Sequence, residues 1–195
     1  TSFSRWPPPG QHAGGVICGG TCYLNKAASA AQRFLCNGHA RVAILDVDYH
    51  HGNGTQEIFY DRDDVLLASL HGDPDFEFPF HLGYARERGT GKGDGYNLNY
   101  PLPAGTPWPQ WQAAFEDAHE KIRAYAPTAL VISLGVDAFK DDPISQFKLE
   151  SEHFLTIGRR IADFDLPTLF VMEGGYATGA LGVNAVNVLQ GFEGG

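Results

Sequence analysis

Asp48 and His50 stand two residues apart at the end of an apolar run that begins at Val42, in the segment Asp46-Val47-Asp48-Tyr49-His50-His51-Gly52-Asn53-Gly54. If a strand continues through them, its alternation turns both side chains to one face. A carboxylate and an imidazole fixed side by side make two corners of a catalytic zinc site, which takes three protein donors and keeps a fourth position open. Two more apolar runs end in chemistry: residues 129–134 lead to Gly135-Val136-Asp137, and residues 168–172 to Glu173-Gly174-Gly175-Tyr176. Asp137 supplies a third donor. The Tyr176 phenol, freed by two glycines, can donate to a developing oxyanion. A metal held this way polarises an amide carbonyl and lowers the pKa of bound water, which is the chemistry of amide hydrolysis.

Each residue alone has a plainer explanation. A histidine after a strand is usually a hydrogen-bonded bystander, and a strand-terminal aspartate such as Asp137 is often a helix N-cap. Gly174-Gly175 reads equally well as a tight turn, and Phe76, Phe78 and Phe80 as core packing. Their joint occurrence at successive strand ends selects the chemical reading, because the carboxyl ends of parallel strands share one edge of the sheet, where ligands bind.

Such convergence requires a parallel α/β sheet, and the rest of the chain reads as one. Residues 24–37 are alanine-rich and helical, with Gly38 as terminator. Residues 42–47 and 65–70 are short apolar runs typical of buried strands, with a helix expected over 55–60 between them. Residues 1–21 and 72–107 are rich in glycine and proline and read as loops, the second a long functional one. A helix over 108–125 precedes the strand at 129–134. Ser151 reads as the N-cap of a helix reaching about residue 164, and a last helix covers 181–192. This alternation places helices on both faces of the sheet.

The chain's 195 residues, 43% of them hydrophobic, suit one domain with a real core. A net charge of −9 argues against nucleic acid as a direct partner. It favours approach of a cation, although solubility alone explains it. No apolar run reaches the roughly 18 residues of a membrane span, and no signal peptide is visible. Cys18, Cys22 and Cys36 show no paired metal spacing and read as reduced thiols of a cytoplasmic protein. The chain starts at Thr1 with its first motif within a dozen residues, so an N-terminal part is expected to be absent.

Together these residues resemble the histone deacetylase superfamily, and within it the bacterial acetylpolyamine amidohydrolase-like branch. The resemblance rests on Pro8-Pro9-Gly10-x-His12-Ala13, Cys22-Tyr23-Leu24-Asn25, the run from Asp46 to Tyr60, Ser69-Leu70-His71, Leu134-Gly135-Val136-Asp137, Asp142-Pro143 and Glu173-Gly174-Gly175-Tyr176. It implies an arginase–deacetylase fold, a three-layer αβα sandwich on a mainly parallel sheet of about eight strands, with residues 1–195 as a single, partial catalytic domain. It also implies that Asp48, His50 and Asp137 bind zinc, that Tyr176 polarises the substrate carbonyl, and that His12 is general base and acid. Asp46, Ser69 and Leu70 would hold a structural potassium ion. Phe78 would form one wall of an acyl-lysine tunnel, beside Gly20 and Thr21. His51 would support the metal site without ligating, and Asn53 would orient His12.

The implied reaction is zinc-dependent removal of an acyl group from a small acetylated cationic amine or an acetyl-lysine peptide, with no nucleic acid or membrane partner and room for a homodimer. An arginase-like reaction through two manganese ions would need a second set of paired ligands, which is not apparent. The chain also departs from the family. Gln11 stands where the family has the first histidine of a pair, and glutamine cannot take a proton. Thr21 replaces a tunnel-wall phenylalanine, and the approach through Arg5-Trp6-Pro7 is longer than usual. These departures motivate an alternative, a catalytically weakened metal-binding relative.

Overall fold

The short apolar runs form the strands of one sheet. A computed structural model describes residues 2–4, 9–16 and 18–194; residues 5–8, with the lengthened approach and Pro8, lie outside them. Six strands are formed among the described residues, β1 (Ser2–Ser4), β2 (Val42–Asp46), β3 (Val65–Gly72), β4 (Asn97–Leu102), β5 (Ala129–Leu134) and β6 (Thr168–Met172). They pair in the order β1-β6-β5-β2-β3-β4, and every pairing is parallel. Strands β2, β3 and β5 are buried along their whole length, as a sheet covered on both faces demands.

Five helices supply that cover: α1 (Lys26–Cys36), α2 (Asn53–Phe59), α3 (Trp108–Tyr125), α4 (Ser151–Ala162) and α5 (Thr178–Glu193). Alternate strand residues separate into two cores. Val42, Ile44, Ala129 and Val131 pack with Ala27, Ala31 and Phe59 of α1 and α2. Ala43, Leu45, Leu130 and Ile132 pack with Trp111, Phe115, Phe154 and Val188 of α3, α4 and α5. The result is the αβα sandwich expected from the sequence. No helix among the described residues is long and apolar enough to cross a membrane.

Several local expectations are corrected. The sheet has six strands among the described residues, fewer than the eight or so implied by resemblance. Two of them lie in segments read as loops: β1 pairs with β6, and β4 lies on the far edge against β3. Asn97, Asn99 and Pro101 hid β4, because asparagine and proline are poor strand formers; proline is tolerated there because an edge strand has one unpaired side. Helix α4 is capped by Glu150, whose side chain accepts from the His153 amide while His153 Nδ1 accepts from the Glu150 amide at 2.8 Å. Asn25, Asn53 and Thr178 mark where α1, α2 and α5 begin or are capped, against the expected starts at 24, 55 and 181.

Candidate functional site

The register aligns Asp46 with Ser69 on β3 and with Ser133 on β5. Here the chain leaves the sheet. Contrary to the alternation expected from sequence, β2 stops at Asp46, and Asp48 and His50 follow it in a bend. The carboxylates themselves end the strand. Asp46 Oδ1 accepts the Asp48 amide at 3.1 Å, and Asp48 Oδ1 accepts the His50 amide at 2.8 Å. Such bonds to the residue two ahead give the backbone an alternative to the ladder. Asp137 completes the bend by accepting the Tyr49 amide at 2.8 Å.

Asp48, His50 and Asp137 are all buried, and donor atoms of the three lie within 4.8 Å of one another. They are the one group of three or more such residues found among the described residues. His50 Nδ1 is 3.0 Å from Asp137 Oδ2 and 3.3 Å from Asp48 Oδ1, so one imidazole answers two carboxylates. Burial opposes charge on His50, yet bonds to Asp137 and Asp48 hold its pKa well above the usual histidine range. Burial also works against Asp48, but the His50 contacts outweigh it and hold this carboxyl down. Asp137 is pushed up by burial and by the Asp48 charge. Two carboxylates and an imidazole, buried and converging, are a donor set that fits zinc.

Close packing around the cluster depends on glycine. A Cβ at Gly174 would lie 2.5 Å from Asp137 Oδ2 and 2.6 Å from Asp48 Oδ2, and the Gly174 amide donates to Asp48 Oδ2 at 2.7 Å. Gly135 likewise presses its backbone against the Asp48 carboxylate. These glycines let the β5 and β6 ends approach the Asp48 and Asp137 carboxylates.

His12 sits beside the cluster, its ring centroid 6.3 Å from that of His50. Asn53 Oδ1 lies 2.7 Å from His12 Nδ1. An amide oxygen only accepts, so the proton is on Nδ1 and the Nε2 lone pair is available. Burial depresses the His12 pKa, which favours the neutral ring. Gly20, at φ +53°, lies against the His12 ring with no room for a side chain, and Thr21 also takes a left-handed φ of 63°. Phe78 meets His12 edge-on at 4.9 Å. Tyr176 is 43% exposed; burial, then the Asp48 and Asp137 charges, push its hydroxyl pKa up.

Other expected site residues lie at or near the same strand ends. Gln11 is buried, and its Oε1 has no hydrogen-bond partner. Asp46 Oδ2 and the Ser133 hydroxyl are also buried without partners. The Ser69 hydroxyl donates to His71 Nδ1 at 2.8 Å, and Leu70 is buried in β3. His51 stands apart from the three-residue cluster: its Nε2 lies 3.1 Å from Gln56 Oε1 and its ring 4.5 Å from His71.

Sequence reasoning missed the residues that hold this arrangement in place. Asp142 Oδ2 accepts the amides of Tyr176 and Ala177 at 2.7 and 3.1 Å. The Tyr49 hydroxyl donates to Glu77 Oε2 at 2.8 Å, next to Phe78. Gln56 Oε1 accepts from Asn97 and Asn99 at 2.9 and 2.8 Å. Glu173 bonds the Gly10 amide. Tyr49, Gln56, Asp142 and Glu173 lay within matched motifs but with no assigned role, whereas Glu77, Asn97 and Asn99 carried no sequence signal.

Comparison with known proteins agrees with this fold. Residues 1–192 match the family model described as histone deacetylase domain. Acetylpolyamine amidohydrolase 1 of Pseudomonas aeruginosa is 64% identical over 194 residues, covering 100% of this chain and 56% of its own length. Acetylpolyamine amidohydrolase of Mycoplana ramosa is 54% identical over 193 residues, 99% of this chain and 57% of that protein. A crystal structure of acetylpolyamine aminohydrolase from Burkholderia pseudomallei superposes with a TM-score of 0.95 at 47% identity, over 97% of this chain and 55% of that one. The chain thus spans a little over half the length of the relatives it matches.

Proposed function

The chain belongs to the histone deacetylase domain family, and on that premise we propose that residues 1–195 act as one catalytic domain which hydrolyses the amide of a small acetylated amine, an acetylpolyamine before an acetyl-lysine peptide. The observation that carries this reading is the convergence of Asp48, His50 and Asp137 donor atoms within 4.8 Å in a buried setting. The substrate class follows from relatives named acetylpolyamine amidohydrolases, and a net charge of −9 suits a cationic amine. The three cysteines are free, in keeping with a cytoplasmic setting.

In this reading Asp48, His50 and Asp137 hold zinc, which when bound supplies Lewis acidity toward an amide carbonyl and acidifies water. His12, neutral and oriented by Asn53, takes the proton of the attacking water on Nε2 and returns it to the departing amine nitrogen. The Tyr176 hydroxyl donates to the carbonyl oxygen as negative charge builds there. Phe78, Gly20 and Thr21 line the approach, which Thr21 leaves wider than a phenylalanine would. His51 braces the bend from the Gln56 side. Asp46, with Ser69 and Leu70, holds a potassium ion; its support is the buried Asp46 Oδ2 that lacks a protein partner.

Gln11 favours a second reading, a zinc-binding relative with weakened turnover, since an amide beside His12 can hydrogen-bond but not carry a proton. One experiment separates the two: assay of the purified chain, with one equivalent of zinc bound, on acetylputrescine and on an acetyl-lysine peptide. Turnover of the polyamine is expected. Silence on both substrates with zinc in place refutes the enzyme reading, and recovery in Gln11→His assigns the defect to that position. Asp137→Ala is expected to abolish stoichiometric zinc binding; a variant that keeps one equivalent contradicts the ligand assignment.

A further inference from the structure

Glu173 does no chemistry in the mechanism above, yet it is a carboxylate only 7% exposed at the wall of the site. Burying a carboxylate is costly unless something answers it. Its Oε2 accepts the Gly10 amide at 2.5 Å, joining residues 163 positions apart. Residue 10 is also packed tightly against the start of α1, for a Cβ there would lie 2.7 Å from the Leu24 carbonyl oxygen and 2.9 Å from the Lys26 amide nitrogen. The next residue, Gly174, donates its own amide to Asp48 at 2.7 Å. Two consecutive residues at the end of β6 therefore grip a candidate metal ligand and the loop that carries His12.

The same loop is held by α1 and α2 as well. The Gln11 carbonyl accepts the amides of Gly54 and Thr55 at 3.0 and 3.2 Å, and the Ala13 carbonyl accepts from Asn25 Nδ2 at 3.0 Å. The α1 and α2 contacts fix how the loop sits on the helices. The Glu173 bond ties it to the sheet edge where Asp48 and Asp137 converge.

We propose that Glu173 is a positioning residue, which sets the reach of the His12 ring toward the Asp48–His50–Asp137 cluster by holding the Gly10 amide. The inference rests on the reading of His12 as general base, and its test includes readouts that do not need turnover. Glu173→Met keeps the side chain's length and removes the acceptor; Glu173→Gln keeps an acceptor. In Glu173→Met the Gly10 amide should exchange roughly 10- to 100-fold faster, the scale of a hydrogen bond to a charged group. The His12 ring nitrogen resonances should move while zinc still binds at one equivalent. On an acetylated amine kcat should fall by about 10- to 100-fold at unchanged KM, as a small misplacement of a catalytic group predicts, and Glu173→Gln should recover most of it. Wild-type exchange and His12 resonances in Glu173→Met overturn the proposal even if the wild type proves inactive, a result that would count against the functional reading alone. If Glu173→Met does not fold, Glu173→Gln decides: Gly10 protection within about threefold of wild type supports the proposal, and its full loss overturns it.

Discussion

A single methyl group at residue 174 tests the geometry of the candidate metal centre. The Gly174 backbone does not occupy the left-handed region, unlike Gly175 at φ +147°, so alanine introduces only bulk. Its Cβ would lie 2.5 Å from Asp137 Oδ2 and 2.6 Å from Asp48 Oδ2, and a Cβ essentially never approaches closer than 3.0 Å. Each oxygen must retreat by about 0.4–0.5 Å, more than the roughly 0.2 Å that metal–ligand distances tolerate. Loss of at least about 10- to 100-fold in zinc affinity follows, the scale seen when the support of a ligand is disturbed, or about 1.4–2.7 kcal/mol. Overpacking adds a stability cost of about 1–3 kcal/mol. Competition against a chromophoric zinc chelator measures the affinity, and thermal melting measures the fold. Gly182→Ala is the control: nothing lies within 4 Å of its added Cβ, on the exposed face of α5, so it should leave zinc untouched and stabilise by about 0.5–1 kcal/mol. A folded Gly174→Ala protein with wild-type zinc affinity refutes the reasoning.

Tyr176→Phe removes only a hydroxyl; zinc should bind as before while kcat/KM falls by about 10²-fold or more, the scale of one oxyanion donor, and unchanged kcat/KM excludes that role. Asn53→Ala frees the His12 ring; kcat should drop by about 10-fold or more with zinc stoichiometry intact, as for loss of a partner that fixes an imidazole's direction, and equal rates would mean that Asn53 does not orient the base. His119 gives a pH signature far from the site: it is 2% exposed, lies 3.0 Å from the Arg160 carbonyl, and its pKa is depressed by burial and then by Arg160. Because its folded pKa lies below the ordinary 6.5, the unfolded chain binds the extra proton first. Its contribution is therefore whole above about pH 6.5 and lost as pH falls through and below that value. Melting temperatures between about pH 5 and 7.5 should accordingly fall less steeply toward acid in His119→Gln, and parallel curves would show that His119 does not titrate on unfolding.

The sequence disclosed what is local. β2, β3, β5 and β6 were legible because a short apolar run buried on both faces needs no partner information to be recognised. β4 was not, because its asparagines are chosen for side-chain bonds to Gln56 and to loop carbonyls, against strand propensity. The candidate cluster was legible because two strand ends carried unusual residues, Asp48 and His50 after β2 and Asp137 after β5. Its supports were not: Glu173 reaches Gly10 across 163 positions, and Gly174 reaches Asp48 across 126. No spacing rule connects such pairs before the topology is known.

The error about Asp48 and His50 is instructive on the same ground. Strand alternation brought them to one face by the wrong route. In the structure the carboxylates of Asp46, Asp48 and Asp137 accept the amides of Asp48, His50 and Tyr49 in turn, so the groups expected to bind a metal also bend the chain that presents them. Ligand geometry and backbone path are then one set of hydrogen bonds. Replacing Asp137 with asparagine keeps an acceptor oxygen for the Tyr49 amide but discards the charge, whereas alanine discards both. If the bend is built as described, the asparagine variant should lose zinc with native-like melting, and the alanine variant should lose zinc and several degrees of stability together. Equal melting for the two substitutions would separate the path of the chain from its ligands.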